Sequence, residues 1–253
     1  NMNIPGFKVE TVSLLYYENT PLDRAIDHLF VNIDRAYKNG ANIIILSDRG
    51  VDENHVAIPS LLAVSAVEQH LIKTKKRTAI SIILESAEPR DVHHFATLLG
   101  YGARAINPYL VYECIGELVD LGILNKDLHV AIDDYNEAIL HGIVKIASKM
   151  GISTIQSYQS AQIFEAVGIS KEVTDKYFTN TVSRVGGIGL KEINDDVEWR
   201  HSHAFDPLGL GVDTSLDSSG AHNLRSGRDK EEHLYSPKVI VTRQEATRNS
   251  DYK

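Results

Sequence analysis

Residues 42–50 read Asn-Ile-Ile-Ile-Leu-Ser-Asp-Arg-Gly, a short apolar run followed at once by a polar loop. A continuous apolar run of this length is typical of a parallel strand that is buried on both faces. The polar residues then fall at the carboxyl end of that strand, where barrels and open α/β sheets keep their binding and catalytic groups. This stretch therefore predicts the class of fold and also where a site would lie.

The same succession of a strand and a helix recurs about four times along the chain. Strands are predicted over residues 7–16, 42–46, 79–84 and 103–106, each followed by a stretch with helical spacing of apolar residues. Alternation of this kind indicates a parallel sheet with helical crossovers. We predict an α/β fold with parallel strands alternating with helices, (β/α) barrel-like or part-barrel. An open doubly wound sheet is the alternative, because periodicity does not distinguish whether the sheet closes.

The second half of the chain gives weaker signals. A helix is predicted over residues 135–150 with Asp134 as its N-cap, and a strand at 153–155. Residues 206–228 contain many Gly, Ser and Asp and few large apolar residues, so this part cannot bury much surface. We expect an α/β domain over residues 6–200 and an irregular segment over 201–253, with a frayed polar end from 245 to 253.

The composition limits the classes of function. The formal charge of −8 is unlike the basic surface of a nucleic-acid-binding protein, so no nucleic acid is expected as a partner. A single cysteine, Cys114, excludes an internal disulfide and a cysteine-only zinc or iron–sulfur site within this chain. No apolar run approaches the ~20 residues of a membrane helix, so no membrane association is expected. A reducing, cytoplasmic location is the expectation.

Four polar residues at predicted strand ends are the candidate site. They are Asp48, Arg49, Glu85 and Asn107. In one interpretation they bind a polar ligand at the carboxyl edge of the sheet. In the other, Asp48 caps backbone amides and Arg49 forms an ion pair, and the cluster is structural.

Other motifs are better explained by structure than by chemistry. His93 and His94 are adjacent, so on a helix they point about 100° apart and are poorly placed to bind one metal ion. Glu88 is expected to be a first-turn acid of the following helix. Cys114 lies in a helical apolar pattern and is expected to be buried. Residues 184–189 are rich in glycine and are expected to form a tight turn, not a phosphate loop, because neither a Walker A nor a dinucleotide spacing is present.

Several long strings go beyond these general signals. They resemble the central domain of the glutamate synthase family, in the family's order, over residues 6 to 190. The strings are Gly40–Gly50, Ile58–Val64, Val92–Ala96, Leu99–Ala103, Ile106–Leu110, Lys149–Tyr158, Ala161–Gly168, Asp175–Thr179 and Ser183–Gly189.

Two departures from the family pattern are visible. Gln159 and Ser160 stand where the family usually has Arg-Gly, and Asn180 stands where Gly is usual. Both are predicted to lie in loops. A ligand-binding role that these loops have in the family is therefore not expected in this chain.

The resemblance implies a part in making two glutamates from glutamine and 2-oxoglutarate. In the family, an amidotransferase domain with an N-terminal catalytic cysteine releases ammonia, and a barrel that binds FMN and an iron–sulfur cluster uses it. The central domain lies between them and helps to wall the ammonia tunnel. The expected partners are thus the amidotransferase and FMN-binding domains of the same polypeptide, and ammonia in transit. FMN and the iron–sulfur cluster are expected in those other parts and no cofactor in this chain, with residues 201–253 leading into the FMN-binding domain.

Three functions follow as hypotheses. The first is a scaffold and channel domain of glutamate synthase, an oxidoreductase, with no chemistry in the isolated chain. The second is a free-standing (β/α)-barrel enzyme, which predicts a deep pocket joining Asp48, Arg49, Glu85 and Asn107. The third is a regulatory interaction module that binds separate synthase domains. A domain removed from its neighbours is also expected to expose apolar side chains.

Overall fold

The computed structural model describes residues 6–205 and 233–250 in two compact units, over residues 1–207 and 208–253. The strands are β1 (Val9–Ser13), β2 (Leu15–Tyr17), β3 (Ile43–Ser47), β4 (His55–Ala57), β5 (Ser81–Glu85), β6 (Ala105–Asn107), β7 (Glu165–Ile169) and β8 (Val182–Ile188). The helices are α1 (Leu22–Lys38), α2 (Ser60–Lys73), α3 (Val92–Gly100), α4 (Tyr109–Asp120), α5 (Leu128–Lys149), α6 (Ile155–Tyr158), α7 (Lys171–Tyr177), α8 (Leu190–Ala204) and α9 (Pro237–Asn249), with a 3-10 turn at Arg77–Ala79.

The main sheet of the first unit is parallel and has the strand order β1-β3-β5-β6. A helix lies between each of these strands and the next in the chain, which confirms the predicted alternation. The strands follow one another across the sheet in chain order, without the reversal that defines a doubly wound sheet. This succession has the form of the predicted part-barrel.

The core lies on one face of this sheet. Val12, Ile44, Leu46, Ile82 and Leu84 point to that face and are buried with the apolar sides of α1 and α2. α1 shows why the sequence forms an amphipathic helix, because its buried residues recur at helical spacing: Leu22, Ala25, Ile26, Leu29, Ile33 and Ala36.

The opposite face is more open, so burial on both faces is not what the structure shows. Ile43, Ile45 and Ile83 alternate with the core residues and are only partly buried, and Val9 on the edge strand is 50% exposed. An apolar run in sequence shows that both faces are apolar, but it does not show that both are covered within the same chain.

Several local predictions were wrong. Residues 153–155 do not form a strand, because Thr154 is the N-cap of the short helix α6, which begins at Ile155. The helix predicted from residue 135 begins at Leu128, where the Asp127 side chain accepts hydrogen bonds from the amides of His129 and Val130. Asp134 lies inside that helix and pairs with Lys126. The glycine-rich stretch belongs to β8, which pairs in parallel with β7.

The glycines explain this last difference. A Cβ on Gly187 would lie 2.3 Å from the carbonyl oxygen of Gly168, so β7 and β8 come closer here than side chains allow. Gly187 therefore allows β7 and β8 to approach each other closely.

The second unit is described from residue 233 to residue 250. It contains α9, which begins after Ser236 with Pro237 in its first turn, a favourable start for a helix. Residues 245–249, predicted to fray, are part of this helix. The prediction for residues 206–228 lies outside the described residues.

Candidate functional site

The carboxyl ends of the four parallel strands form one polar row. Ser13 is the register partner of Ser47, Ser47 of Glu85, and Glu85 of Asn107. Because partners in a parallel sheet lie at the same level and point to the same face, these four side chains line one edge of the open face.

Glu85 is the centre of the row. Its carboxylate accepts hydrogen bonds from Ser47 Oγ at 2.7 Å, Arg49 Nε at 2.9 Å and Asn107 Nδ2 at 3.3 Å. Burial alone would raise the pKa of Glu85, but the hydrogen bonds from Arg49 and Ser47 and the charge of Arg49 outweigh it and lower that pKa. Glu85 is thus held ionised and is a poor general acid at neutral pH.

Arg49 reaches from the loop after β3 to the helix after β6. Its Nη1 lies 3.2 Å from Glu113 Oε1, and its guanidinium carbon lies 3.9 Å from the centroid of the Tyr109 ring. The hydrogen bond to Glu85 and the pairing with Glu113 raise the pKa of Arg49. The guanidinium is therefore engaged by two carboxylates and an aromatic face.

Asp48 forms a second, more deeply buried network. It is 4% exposed and accepts hydrogen bonds from Ser86 Oγ at 2.5 Å and from the amide of Ala87 at 3.1 Å. Burial and the adjacent Asp48 carboxylate raise the pKa of Tyr109. Asp48 thus fixes the loop after β5 and leaves Tyr109 a neutral phenol.

Glu88 has a role that the sequence did not indicate. It was predicted to stabilise the helix that follows it, but it accepts hydrogen bonds from the amide, at 2.7 Å, and the hydroxyl of Ser60. Ser60 is the first residue of α2, so Glu88 caps a helix that precedes it by 28 residues.

All four candidates from the sequence therefore meet at the sheet edge. Their contacts follow the structural interpretation, since Asp48 binds a backbone amide and Arg49 forms ion pairs. Sequence reasoning missed Tyr109 and Glu113. Their spacing of four residues, on the helix that starts just after Asn107, is the signal that would have found them.

A pocket that joins these residues would favour the free-standing enzyme. Two cavities within residues 6–205, of about 630 and 340 Å³, are lined by other residues. Arg49 and Asn107 bind Glu85, and Asp48 binds Ser86 and Ala87, so the carboxylates, amide and guanidinium already have partners. The arrangement links the strand ends at this edge of the sheet.

The remaining motifs also have structural roles. Asp91 is the N-cap of α3, and His94 Nδ1 accepts from the amide of Asp91 at 3.4 Å in the reciprocal arrangement of a capping box. In the described ranges, 6–205 and 233–250, no group of three or more His, Cys, Asp or Glu is placed to hold a metal ion. Cys114 is exposed, contrary to the prediction, because α4 buries none of its residues fully. None of the helices in these ranges is long and apolar enough to cross a membrane.

The two departures from the family pattern lie at special backbone positions. Ser160 has φ of 61° and Asn180 has φ of 70°, both in the left-handed region that favours glycine. Ser160 Oγ donates to Glu68 Oε1 at 2.8 Å, and Gln159 Oε1 accepts from Arg104 Nη1 at 2.5 Å. Both substitutions are therefore accommodated locally.

The fold is an α/β domain with a parallel sheet whose strands follow one another in chain order. The polar side chains at the ends of its strands are hydrogen-bonded to neighbouring groups of the same domain. The family model of the glutamate synthase central domain matches residues 1–170, and this chain belongs to that family. It is 44% identical over 248 residues to the glutamate synthase [NADPH] large chain of Bacillus subtilis, covering 98% of this chain and 16% of that relative.

Two further relatives have different electron donors in their names. Glutamate synthase [NADH] of Schizosaccharomyces pombe is 36% identical over 98% of this chain and 12% of the relative. Ferredoxin-dependent glutamate synthase 2 of Synechocystis is 38% identical over 92% of this chain and 16% of the relative. The chain thus spans less than a fifth of the length of these relatives.

Proposed function

We propose that this chain is the connecting domain of a glutamate synthase. In this role it walls part of the route along which ammonia passes from the amidotransferase site to the FMN site, and it performs no chemistry of its own. FMN and the iron–sulfur cluster belong, in this proposal, to the neighbouring parts of the enzyme. The observation that carries the proposal is that the strand-end side chains already have partners: Arg49 and Asn107 bind Glu85, and Asp48 binds Ser86 and Ala87.

That pairing supports a passive role. A general base needs a pKa near the working pH, and a nucleophile needs an adjacent base. Glu85 has a lowered pKa, and its hydrogen bonds all go to neighbours within the sheet edge. The residues that an enzyme would use are used here to hold three strand ends, those of β3, β5 and β6, together.

The open face of the sheet supports the proposed role in lining the ammonia route. Ammonia protonates readily in water, so its route must be lined by packed groups that exclude bulk solvent. Ile43, Ile45 and Ile83 offer an apolar, partly buried surface on rigid strands. A neighbouring domain placed against this face would enclose a dry passage lined on this side by these apolar side chains.

Exposed apolar side chains support contacts with other domains. Leu121, Ile123 and Val144, on or near α4 and α5, are 65%, 70% and 63% exposed. Large apolar groups that remain in water often mark interaction surfaces. The relatives are much longer than this chain and therefore have further polypeptide that could cover such groups.

A flavin titration tests the absence of chemistry. The purified 253-residue chain is titrated with FMN and followed by flavin fluorescence and calorimetry. We expect no saturable binding up to about millimolar flavin, which corresponds to less than about 4 kcal/mol of binding free energy. Stoichiometric, tight binding would overturn the proposal and make the strand-end residues candidates for an active site.

The wall is tested in a full-length glutamate synthase that carries this chain. Ile45→Asn puts a polar group on the open face, and Val31→Asn puts the same group on α1, at a side chain that is 56% exposed. We expect Ile45→Asn to release free ammonia and lower the glutamate formed per glutamine hydrolysed, with glutaminase activity retained. Val31→Asn should keep the wild-type ratio. If folded Ile45→Asn protein formed as much glutamate per glutamine hydrolysed as the wild type, the proposal that this face lines the ammonia route would be contradicted.

A further inference from the structure

The two edges of the main sheet differ in length and in exposure. β6 forms one edge with three residues, whereas β1 forms the other edge with five. Val9 is 50% exposed, and Thr11 and Ser13 of the same strand are exposed as well. Proteins usually protect a sheet edge with proline, a bulge or a very short strand. β1 contains no proline, and its register with β3 runs without a bulge, so this edge is open to another strand.

The hydrogen bonds at the ends of β1 show which of its backbone groups are unused. Ile43 N donates to Lys8 O at 3.2 Å, and Leu14 N donates to Ser47 O at 2.8 Å. Because successive residues of a strand point their N–H and C=O groups to opposite sides, the even-numbered residues face β3. The groups that point outward belong to the odd-numbered residues: Val9, Thr11 and Ser13. Within residues 6–205 and 233–250 these outward groups have no hydrogen-bond partner.

The charges along this edge are complementary to themselves. Lys8 and Glu10 stand two positions apart, one on each side of Val9. When two copies of β1 pair in antiparallel fashion about Val9, Lys8 of each copy lies opposite Glu10 of the other, and opposite charges at such positions are favourable. In the part of the chain that the structure describes, Glu10 forms no ion pair, so its carboxylate is available. The ammonium of Lys8 donates to Asn39 O and keeps two further N–H donors.

Other antiparallel registers lack this match. Pairing about Glu10 would put the two Glu10 carboxylates opposite each other, which is unfavourable. Pairing about Thr11 would put Glu10 opposite Val12 and leave its charge without a partner. The charge pattern therefore selects a second copy of this chain as the occupant and Val9 as the centre of the pairing.

The uncharged side chains suit the same register. Val9 would meet Val9 of the other copy, and Phe7, which is 61% exposed, would lie opposite Thr11. Pairs of β-branched residues, and of aromatic with β-branched residues, are favourable across neighbouring strands. Side chains that are now in water would thus be partly covered by the pairing.

We propose that β1 is a pairing edge for a second copy of this chain. The two strands run antiparallel about a two-fold axis at Val9 and join two four-stranded sheets into one sheet of eight strands. Such a contact uses the same surface on both copies and closes at the dimer. It involves the edge of the sheet and not its open face, so this proposal and the proposed role in lining the ammonia route can fail independently.

The test is analytical ultracentrifugation of the 253-residue chain over a range of concentrations. A single strand pair buries less surface than the about 1,200 Å² of stable interfaces, so we expect a weak dimer with a Kd on the order of 10–100 μM. Sedimentation equilibrium at concentrations up to roughly 500 μM would detect it.

Charge variants test the register. Lys8→Glu and Glu10→Lys each place like charges opposite one another, so each variant alone should dimerise about tenfold more weakly than the wild type. A 1:1 mixture of the two variants places opposite charges at both positions again and should restore association to about the wild-type strength. Glu53→Lys makes the same charge change at an exposed position outside β1 and should dimerise as the wild type.

A backbone variant tests the hydrogen bonds. Thr11→Pro removes an N–H group that points away from β3, and proline is tolerated at such edge positions. We expect the dimer to weaken at least about tenfold while circular dichroism shows the fold retained. Thr11→Val keeps the N–H group and the branched side chain, and it should dimerise as the wild type.

Three results would overturn the proposal. The first is a wild-type chain that stays monomeric at the highest concentration. The second is a dimer whose affinity is unchanged in Thr11→Pro and in both charge variants, because the contact would then lie elsewhere on the surface. The third is a mixture of the two charge variants that associates no more tightly than either variant alone.

Discussion

Arg49 Nε lies 2.9 Å from Oε1 of Glu85, although the two residues are 36 positions apart in the sequence. The pair joins the end of β3 to the end of β5, and Arg49 continues to Glu113 on α4. These contacts connect the end of β3, the end of β5 and the helix α4 at one edge of the sheet. This relationship makes stability at that edge depend on charge, and hence on pH.

The first prediction concerns Glu85 and pH. Because its pKa in the folded state is lowered, its stabilising contribution is present above the unfolded value of about 4.3 and is lost as pH falls through the folded value. Glu85→Gln should lower the free energy of unfolding by about 1–2 kcal/mol at pH 7. Urea denaturation at pH 7, 5 and 4 should show that the difference between variant and wild type shrinks towards acid. Glu113→Gln is the control, because its side chain is 58% exposed and its removal should cost less than about 1 kcal/mol.

The second prediction concerns Asp48. Asp48→Ala should lower the free energy of unfolding by about 2–4 kcal/mol, because it leaves Ser86 Oγ and the Ala87 amide without their acceptor in a buried place. Asp133→Ala, at an exposed position on α5, should stay within about 0.5 kcal/mol of the wild type. Equal effects of the two changes in thermal or chemical unfolding would contradict a structural role for Asp48.

The third prediction compares two glycines. Gly102 has φ of +124°, and a Cβ there would lie 2.8 Å from the carboxyl group of Glu68, a buried residue paired with Arg77. Gly102→Ala should therefore destabilise the chain by about 2 kcal/mol or more. Gly116 lies inside α4, where the nearest atom to a new Cβ is 3.9 Å away. Gly116→Ala should stabilise the chain by about 0.5–1 kcal/mol, and opposite shifts of the unfolding midpoint are the expected result.

The fourth prediction concerns the backbone at Asn180. Its φ of 70° is tolerated by Asn and preferred by Gly. Asn180→Gly should change the free energy of unfolding by less than about 0.5 kcal/mol, whereas Asn180→Ala should cost about 1 kcal/mol. If denaturant unfolding showed Asn180→Ala to be as stable as the wild type, the left-handed backbone conformation would not explain why asparagine is favoured at this position.

Much of the fold and the location of the candidate site follow from local sequence. The run at residues 43–46 and the polar Asp48 and Arg49 after it are correctly placed, because strand formation and the position of a strand end depend on neighbouring residues. Helix starts are less predictable. Asp127, not Asp134, caps α5, and the cap of α2 is supplied by Glu88 from a distant loop.

The sequence by itself determined the parallel α/β class and which polar residues stand at strand ends, because periodicity and turn residues act over a few positions. Only the tertiary structure decided that Glu85 is shared by Ser47, Arg49 and Asn107, because strand register brings together residues that are far apart in the chain. It also decided that one face of the sheet is covered and the other partly open, since coverage depends on where helices pack.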